Sequence, residues 1–488
     1  MRRLHLYILG LVLLIGLFFR TYQVIDRFEF AHDGDLYSWM VKDIVVNHHL
    51  RLIGQLTSAP GIFIGPLFYY LLTPFFLLTK MDPIGALIPV TILGLLTILS
   101  YYFVLAKVFT KEVGLIGAFL YAVLLATVSS DRWVVPTVTT SIWAIWYFYV
   151  ILMITRGNYF VFPFLGILVG LIWHVHIALV PSLVAIFVAM VISRKIPTRK
   201  QISLFFIFLA TASLPLFIFE LRHNFQQTIS LMQNFTAPYA GPSGLDKFTH
   251  VLAMISQNTN TLLFAPQSFG LTQNIFFVIL VLLSPLLLIK RKLLSLTDLI
   301  PLYSWVLGMV IFFSFTSSPI SEYYFTNINV IFLAIVSLLA FYLYQSTFGK
   351  LLIFLLLALI LSKNAYFLIT ENYYNKGYVE RKSIVNYIKI NAASKNYPCV
   401  GISYITTPGE NVGFRYFFWL AKMHLVHPSR EVPVYNIVIP DELSKEVNQK
   451  FGHIGLIVPA KIPPKNVIEK SCQTPDTNLT DSVFGYVE

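Results

Sequence analysis

Charge is scarce in this chain. Only 12% of its 488 residues are Asp, Glu, Lys or Arg, against roughly 25% in an ordinary soluble domain, and a water-facing surface cannot be made from so few. Cysteine is nearly absent: Cys399 and Cys472 are the only two, both in the polar tail. They show no CxxC or Cys/His metal spacing, which argues against a structural zinc and leaves room for a single tail disulfide if the tail meets an oxidising compartment. A continuous basic stripe is missing as well. The formal charge of +12 comes from Lys and Arg scattered between apolar runs, so the sequence carries no nucleic-acid footprint. No small-residue cleavage site follows the apolar run after Met1-Arg2-Arg3, where the chain reads Phe18-Phe19-Arg20-Thr21, so that run is expected to be an uncleaved first span. No internal repeat or low-complexity block stands out.

What is plentiful is apolar. Hydrophobic residues make up 57% of the chain and aromatics 16%, with 42 Phe and 27 Tyr, a composition suited to lipid-facing helices and interfacial aromatic belts. Runs long enough for a roughly 30 Å bilayer core lie at 4–19, 60–79, 83–106, 113–128, 138–155, 159–173, 177–193, 202–219, 274–289, 299–315, 323–344 and 351–369. A single helix over 159–193 would be about 52 Å long, so a turn at His174 to His176 is close to obligatory.

Positive charge in short loops marks the cytoplasmic side. The clusters are Arg2/Arg3, Lys107/Lys111, Arg156, Arg194/Lys195/Arg199/Lys200, Lys290/Arg291/Lys292 and Lys350. They all fall on one side only if 60–79 does not cross. That run also carries Pro60, Gly61, Gly65, Pro66 and Pro74, which break or kink a helix, and it reads as a juxtamembrane helix on the outer face. The expected fold is therefore mostly α: a polytopic membrane protein with about eleven transmembrane helices and a small C-terminal α/β domain. Residues 1–369 form the membrane domain, including a first outer loop (20–82) with juxtamembrane helices and a long outer loop (220–272). Residues 370–488 form the soluble tail, with strands expected at 399–405, 432–439 and 454–458 and helices at 381–392 and 412–424. The N-terminus is expected inside the plasma or inner membrane and the tail outside the cytoplasm.

This sidedness gathers the ionisable groups. Asp33, Asp35, Asp131, His174, His176, Glu220, His223 and Glu322 all fall at outer span ends, the pattern of a site at the outer interface. In Phe30-Ala31-His32-Asp33-Gly34-Asp35, two carboxylates flank a glycine, which suits a general base or a cation site, or equally a helix N-cap. Arg132 follows Asp131 and suits a phosphate, with pairing to Asp131 or snorkelling to headgroups as the plain alternatives. His174 and His176 suit a phosphate or hydroxyl, or the polar positions of an ordinary hairpin, and an i, i+2 pair is a weak metal signal. Glu220, Arg222, Glu322 and Tyr323 complete the set, and Lys363 is expected to snorkel toward a lipid phosphate.

This arrangement resembles the GT-C class of polyprenyl-phosphate-sugar glycosyltransferases, which includes protein O-mannosyltransferases and bacterial lipid A aminoarabinose transferases. The resemblance covers the first two thirds of the chain. It rests on the acidic motif His32-Asp33-Gly34-Asp35, the Pro/Gly-rich segment Gly65-Pro66-Leu67-Phe68-Tyr69-Tyr70, Arg132 with Pro136 downstream, and Glu322-Tyr323-Tyr324. The class usually reads Asp-Glu in the first loop, and the departure here leaves open whether Asp33 or Asp35 is the base. The basic residue that some members carry before the loop helix is missing at Ile64-Gly65-Pro66.

The resemblance implies transfer, with inversion, of a sugar from a polyprenyl-phosphate donor to a hydroxyl of a lipid, glycan or protein acceptor among membrane lipids. Asp33 comes first and Asp35 second as the base. Arg132, Arg222, His174 and His176 would hold the phosphate, and Glu220, Glu322 and Tyr323 would contact sugar or acceptor. No cofactor is required by this chemistry, and a divalent cation joining Asp33 and Asp35 stays open. The rival readings are a multi-span transporter or lipid flippase of the cell envelope, which would favour ionisable groups near the midplane and repeated halves, and an envelope scaffold.

Overall fold

Long apolar segments surrounded by lipid must satisfy their own backbone N–H and C=O groups, which a helix does within one segment. The computed structural model is helical through most of its length and describes residues 2–236, 241, 243–267, 270–316, 320–371 and 375–480. The expected outer segments 220–272 and 316–322 lie in part, at 237–240, 242, 268–269 and 317–319, outside the described residues, as do 372–374 and 481–488 of the tail.

Among the described residues seven helices are long and apolar enough to cross a membrane: Leu4–Thr21, Pro83–Val108, Pro136–Thr155, Gln273–Lys290, Leu296–Phe315, Glu322–Tyr344 and Thr347–Thr370. Two helix pairs pass the same test jointly but are bent, Lys111–Val123 with Leu125–Arg132 by 63° and Arg199–Ala212 with Leu214–Arg222 by 62°, giving up to nine spans. The run 159–193 is divided into two shorter helices, Tyr159–Val175 and Ile177–Ser193, by the extended residue His176. That division is why the spans qualifying by length number seven to nine rather than the expected eleven.

The run 60–79 is not one helix. Its proline and glycine residues close a small hairpin instead, with Leu56 bridged to Phe63 and Gly61 turning at φ +74, a conformation that a side chain would strain. The helix proper is Leu67–Leu78, 12 residues, or about 18 Å at 1.5 Å per residue, which falls well short of a bilayer core.

The two bends have different causes. Pro215 enters the second at the start of Leu214–Arg222, where its missing N–H and ring break the ladder. The first, at Leu124, contains no proline. Here the backbone turns extended (φ −67, ψ 128), and the groups it frees are met by remote side chains. Arg20 donates to the carbonyls of Ala122 at 3.1 Å and Tyr121 at 3.3 Å, and Asn364 Oδ1 accepts from Leu125 N–H at 3.0 Å. Thr127 Oγ1 sits 2.7 Å from both the Tyr121 and the Leu124 carbonyl oxygen. The Arg20 charge is neutralised by Asp131, whose Oδ2 lies 2.8 Å from Nε and 2.5 Å from Nη2, while Tyr121 OH donates to Oδ1 at 2.8 Å.

The tail folds around a five-stranded sheet of β1 (Val400–Thr406), β2 (Leu425–Val426), β3 (Val434–Ile439), β4 (Gln449–Phe451) and β5 (Ile454–Ile457), in the order β2-β1-β3-β5-β4. β1 runs parallel to β2 and β3, and the other pairs are antiparallel. Helix Tyr378–Ser394 buries Ile384, Val385 and Ile388 against the sheet. Cys399 and Cys472 form a disulfide with Cα atoms 5.6 Å apart. The tail core is continuous with the first loop: Phe28, Phe30, Leu36, Tyr37 and Met40 pack in one cluster with Tyr378, Phe417 and Ile437.

Arg20→Leu would strand the Asp131 carboxylate together with two freed carbonyls in an apolar core, and is expected to cost about 3–5 kcal/mol. The measurement is retention of folded, monodisperse protein on heating in detergent. Replacing both partners, Arg20→Met with Asp131→Leu, should recover part of the loss, and a single variant as heat-stable as the parent would show that the bend needs no such clamp.

Candidate active site

Helix His32–Val46 starts after Ala31 with no side chain capping it. Asp33 and Asp35 lie in its first turn, where acidic residues favour the exposed N–H groups. Residues two apart on a helix point about 200° apart, so the two carboxylates take different surroundings. Gly34 between them is required by close packing: a Cβ there would meet the Phe30 ring at 2.6 Å.

Asp33 lines a cavity of about 270 Å³ with His32, Gln55, Ser58, Thr137, His176 and Tyr323. Burial pushes its carboxyl above the ordinary value, with His32 and the Gln55 amide pulling it back. Gln55 is held by the 54–64 hairpin, where Gly54 N–H donates to Ile64 O at 2.6 Å and Ile64 N–H to Gln55 O at 2.9 Å. Tyr69 OH donates to Gln55 Oε1 at 3.1 Å. Asp35 is turned to the tail. Its Oδ1 accepts the Tyr416 N–H at 2.9 Å, and burial raises its carboxyl to about 6 against the pull of that bond and of Arg415. The two carboxylates thus have different surroundings, one in a cavity and one against the tail.

Two further cavities adjoin this one. The larger, about 580 Å³, shares Trp133, Val135, Thr137 and Tyr323 with it. Its wall is mixed, with Arg27, Glu29, Arg132, Gln257, Asn258, Thr261, Glu322, Asn329 and Glu371 set among apolar residues such as Leu125, Val138 and Leu333. The smaller, about 110 Å³, is mostly apolar, walled by Ile62, Val180, Phe312, Phe313 and Tyr324, and shares Thr57, Ser58 and His176 with the Asp33 cavity. A mostly apolar pocket, one that holds Asp33, and a larger one with amides, carboxylates and Arg132 in its wall thus lie in series.

Arg132 ends helix Leu125–Arg132 and lines the large cavity while its Nη2 donates to the carbonyls of Phe19 at 2.6 Å and Tyr22 at 2.9 Å. Its neighbour Asp131 is committed to Arg20, so the expected alternative of an Asp131–Arg132 pair is replaced by that longer-range one. Tyr323 stands at the junction of the large cavity and the Asp33 cavity, and the exposed Glu322 lines the former. His176 accepts Ala178 N–H at Nδ1, 3.1 Å away, which leaves Nε2 carrying the proton of the neutral ring. The ring packs 5.5 Å from Tyr323 and 4.9 Å from Tyr324.

The remaining expected residues fall outside these cavities. His174 bridges two helices, its Nδ1 3.3 Å from Leu67 N and its Nε2 2.9 Å from Ala212 O. Gly65 passes so close that a Cβ would meet His174 Nδ1 at 2.3 Å. Glu220 is buried and accepts Thr228 N–H at 3.2 Å, and Arg222 is exposed. Lys363 donates to Phe264 O at 2.7 Å rather than reaching for headgroups. Gln55, Arg27, Glu29, Glu371 and the Gln257/Asn258/Asn329 amides are lining residues that the sequence reading did not include. Gln257 and Asn258 had a signal, since Ser256 to Thr261 is a polar run inside the otherwise amphipathic helix Gly244–Phe264.

Residues 60–220 match the family model described as dolichyl-phosphate-mannose-protein mannosyltransferase. No curated protein matches the chain. Among solved structures, apo ArnT from Cupriavidus metallidurans is similar at TM-score 0.55 and 9% identity, over 94% of this chain and 99% of that one. The same protein bound to undecaprenyl phosphate gives 0.52 and 11%, over 95% and 99%. The apo oligosaccharyltransferase of Archaeoglobus fulgidus gives 0.53 and 16%, over 87% of this chain and 64% of that one, so the chain spans less than two thirds of that protein. These matches bear out the resemblance to GT-C glycosyltransferases, and at such identities the likeness is one of fold.

Proposed function

We propose that this chain is an integral membrane glycosyltransferase that moves a sugar from a polyprenyl-phosphate donor to a hydroxyl acceptor, with Asp33 as the base. The observation that carries this reading is the series of cavities around Asp33, apolar on one side and lined by amides, hydroxyls and Arg132 on the other. A lipid-linked sugar has the same order of chemistry, an isoprenoid chain, a phosphate and a polyol. The undecaprenyl phosphate bound by ArnT of the same fold supports this donor class.

In the reaction the acceptor O–H loses its proton to the Asp33 carboxylate, and the acceptor oxygen forms a bond to the anomeric carbon. The bond from that carbon to the phosphate oxygen breaks, and polyprenyl phosphate leaves with the electron pair. Phosphate needs little acid help once a cation meets its developing charge, a task that falls to Arg132. His176 donates from Nε2, and Glu322 and Tyr323 face sugar or acceptor. Displacement in one step inverts the anomeric centre. His174 and Glu220 act by holding the walls.

This reading counts eleven crossings by adding the two shorter helices Tyr159–Val175 and Ile177–Ser193 to the seven unbroken helices and two bent pairs, since a helix of about 17 residues is just long enough to cross. With the basic clusters on the cytoplasmic side, the site and the tail face outward, where the Cys399–Cys472 disulfide persists. The reading calls for no cofactor, because the paired aspartates diverge.

Asp33→Asn is expected to abolish transfer from a polyprenyl-phosphate sugar, by about 100-fold or more, while the protein still accumulates in the membrane; retained activity would remove Asp33 as the base. A base must be ionised, so kcat/KM of the parent should fall with decreasing pH through an acid limb lying above the ordinary aspartate value, as the burial of Asp33 dictates. Transfer should survive EDTA within about twofold, whereas loss restored by Mg²⁺ or Mn²⁺ would establish a metal step. Lys445→Cys and Lys292→Cys, both at exposed positions, should be labelled by an impermeant maleimide from opposite sides of the membrane, and labelling from one side would sink the topology.

A further inference from the structure

The tail makes its contacts with the first loop on both sides of Asp33. Before it, Tyr378 N–H donates to Phe28 O at 2.9 Å, and the fully buried Arg381 donates from Nε to Phe30 O at 2.6 Å. The tail loop at Gly413, with φ +84, presses on Ala31, where even a Cβ would come within 3.1 Å of the Ala31 Cα. After it, Asp35 accepts Tyr416 N–H at 2.9 Å, and Trp39 stacks edge-on against Tyr416 with centroids 5.8 Å apart. The Phe30 ring, which floors the turn beneath Gly34, packs 4.6 Å from Phe417. Farther along, Asp82 accepts from Tyr378 OH at 2.6 Å and pairs with Lys382.

We propose that the tail is a positioning part of the Asp33 site, and that Asp35 is its tether: it ties the helical turn bearing Asp33 to the tail through the Tyr416 amide. This rests on Asp33 being the base. Asp33 and Asp35 share one turn but face opposite ways, so a bond made by one fixes the backbone from which the other projects. A base must reach its acceptor proton within hydrogen-bond distance, and a displacement of an ångström at such a group costs about 100-fold in rate. The tether needs an acceptor oxygen at position 35 and does not need its charge.

The test is a comparison of Asp35→Ala with Asp35→Asn in full-length protein, assayed in detergent or liposomes with a polyprenyl-phosphate sugar. Asp35→Ala should lower kcat about 10- to 100-fold with the donor KM changed much less, and Asp35→Asn, which keeps the acceptor oxygen, should restore kcat to within about threefold. Hydrogen exchange gives a second readout that needs no activity: the Tyr416 amide and the peptide 30–36 should exchange faster in Asp35→Ala and not in Asp35→Asn. Lys382→Met with Tyr378→Phe, which loosens the tail from Asp82, should shift kcat and the 30–36 exchange in the same direction and serves where Asp35→Ala does not accumulate. An Asp35→Asn variant as inactive as Asp33→Asn would overturn the proposal by making Asp35 a catalytic carboxylate. Unchanged exchange at 30–36 in both loosened variants would overturn it too. If the parent transfers no sugar at all, the glycosyltransferase reading falls, and the exchange result alone decides the tether.

Discussion

A broken helix inside an apolar core is tolerated only where other groups satisfy the backbone it exposes, and the bend at Leu124 is where this constraint acts most strongly. Straightening the segment would close its own backbone ladder but take these partners from Arg20 and Asn364, and would carry Asp131 and Arg132 elsewhere. The bend persists because Arg20, at the end of the first helix, fills the gap left by the Tyr121 and Ala122 carbonyls, and Asn364 of the last long helix takes the Leu125 N–H. A buried guanidinium is costly unless paired, so Asp131 follows as a requirement of Arg20. Arg132 then reaches back to the Phe19 and Tyr22 carbonyls. The first helix and the bent one thus brace each other twice, and the wall of the cavity of about 580 Å³ is built on that brace.

The second constraint is helical periodicity in the first loop. Two aspartates flanking a glycine look like one site when written in a line. Wound into a helix they become two, one facing the cavity and one facing the tail. Gly34 separates them for a packing reason, as the Phe30 ring occupies the space a side chain would need. The same ring continues into the tail core through Phe417, so the first loop and the tail are joined by apolar packing as well as by hydrogen bonds.

Which parts were legible in the sequence follows from how far apart the interacting residues lie. Each of the seven long helices and both bent pairs corresponds to an apolar run, because span length is a local property. The strands at 400–406, 434–439 and 454–457 were likewise visible as Val- and Ile-rich runs. The Pro/Gly content of 60–79 correctly argued against a straight crossing, though it concealed a hairpin before a 12-residue helix. Nothing local distinguishes Leu124 as a bend, since its partners lie about a hundred residues before it and more than two hundred after it. For the same reason His174 and Glu220 read as site residues, although both His174 nitrogens are taken up by Leu67 and Ala212, and Glu220 is buried with one oxygen on Thr228 N–H. Gln55 drew no notice because a glutamine in a loop has no signature until the hairpin brings it to Asp33.

The depth at which Asp33 sits has a consequence for the proposed chemistry. A fully solvated aspartate is always ionised near neutral pH but is a weak base, and a fully desolvated one is a stronger base that is increasingly protonated. A carboxylate that is partly buried, with an amide and a histidine moderating the shift, lies between these limits, where the product of ionised fraction and proton affinity is larger. In the proposed chemistry the surrounding cavities would contribute to this balance, the mostly apolar pocket on one side and the cavity lined by amides and Arg132 on the other. On that account the juxtaposition of the two compartments would do more than accommodate the proposed lipid-linked sugar. It sets the basicity of the carboxylate between them, and the tail, by fixing the turn, sets how far that carboxylate reaches.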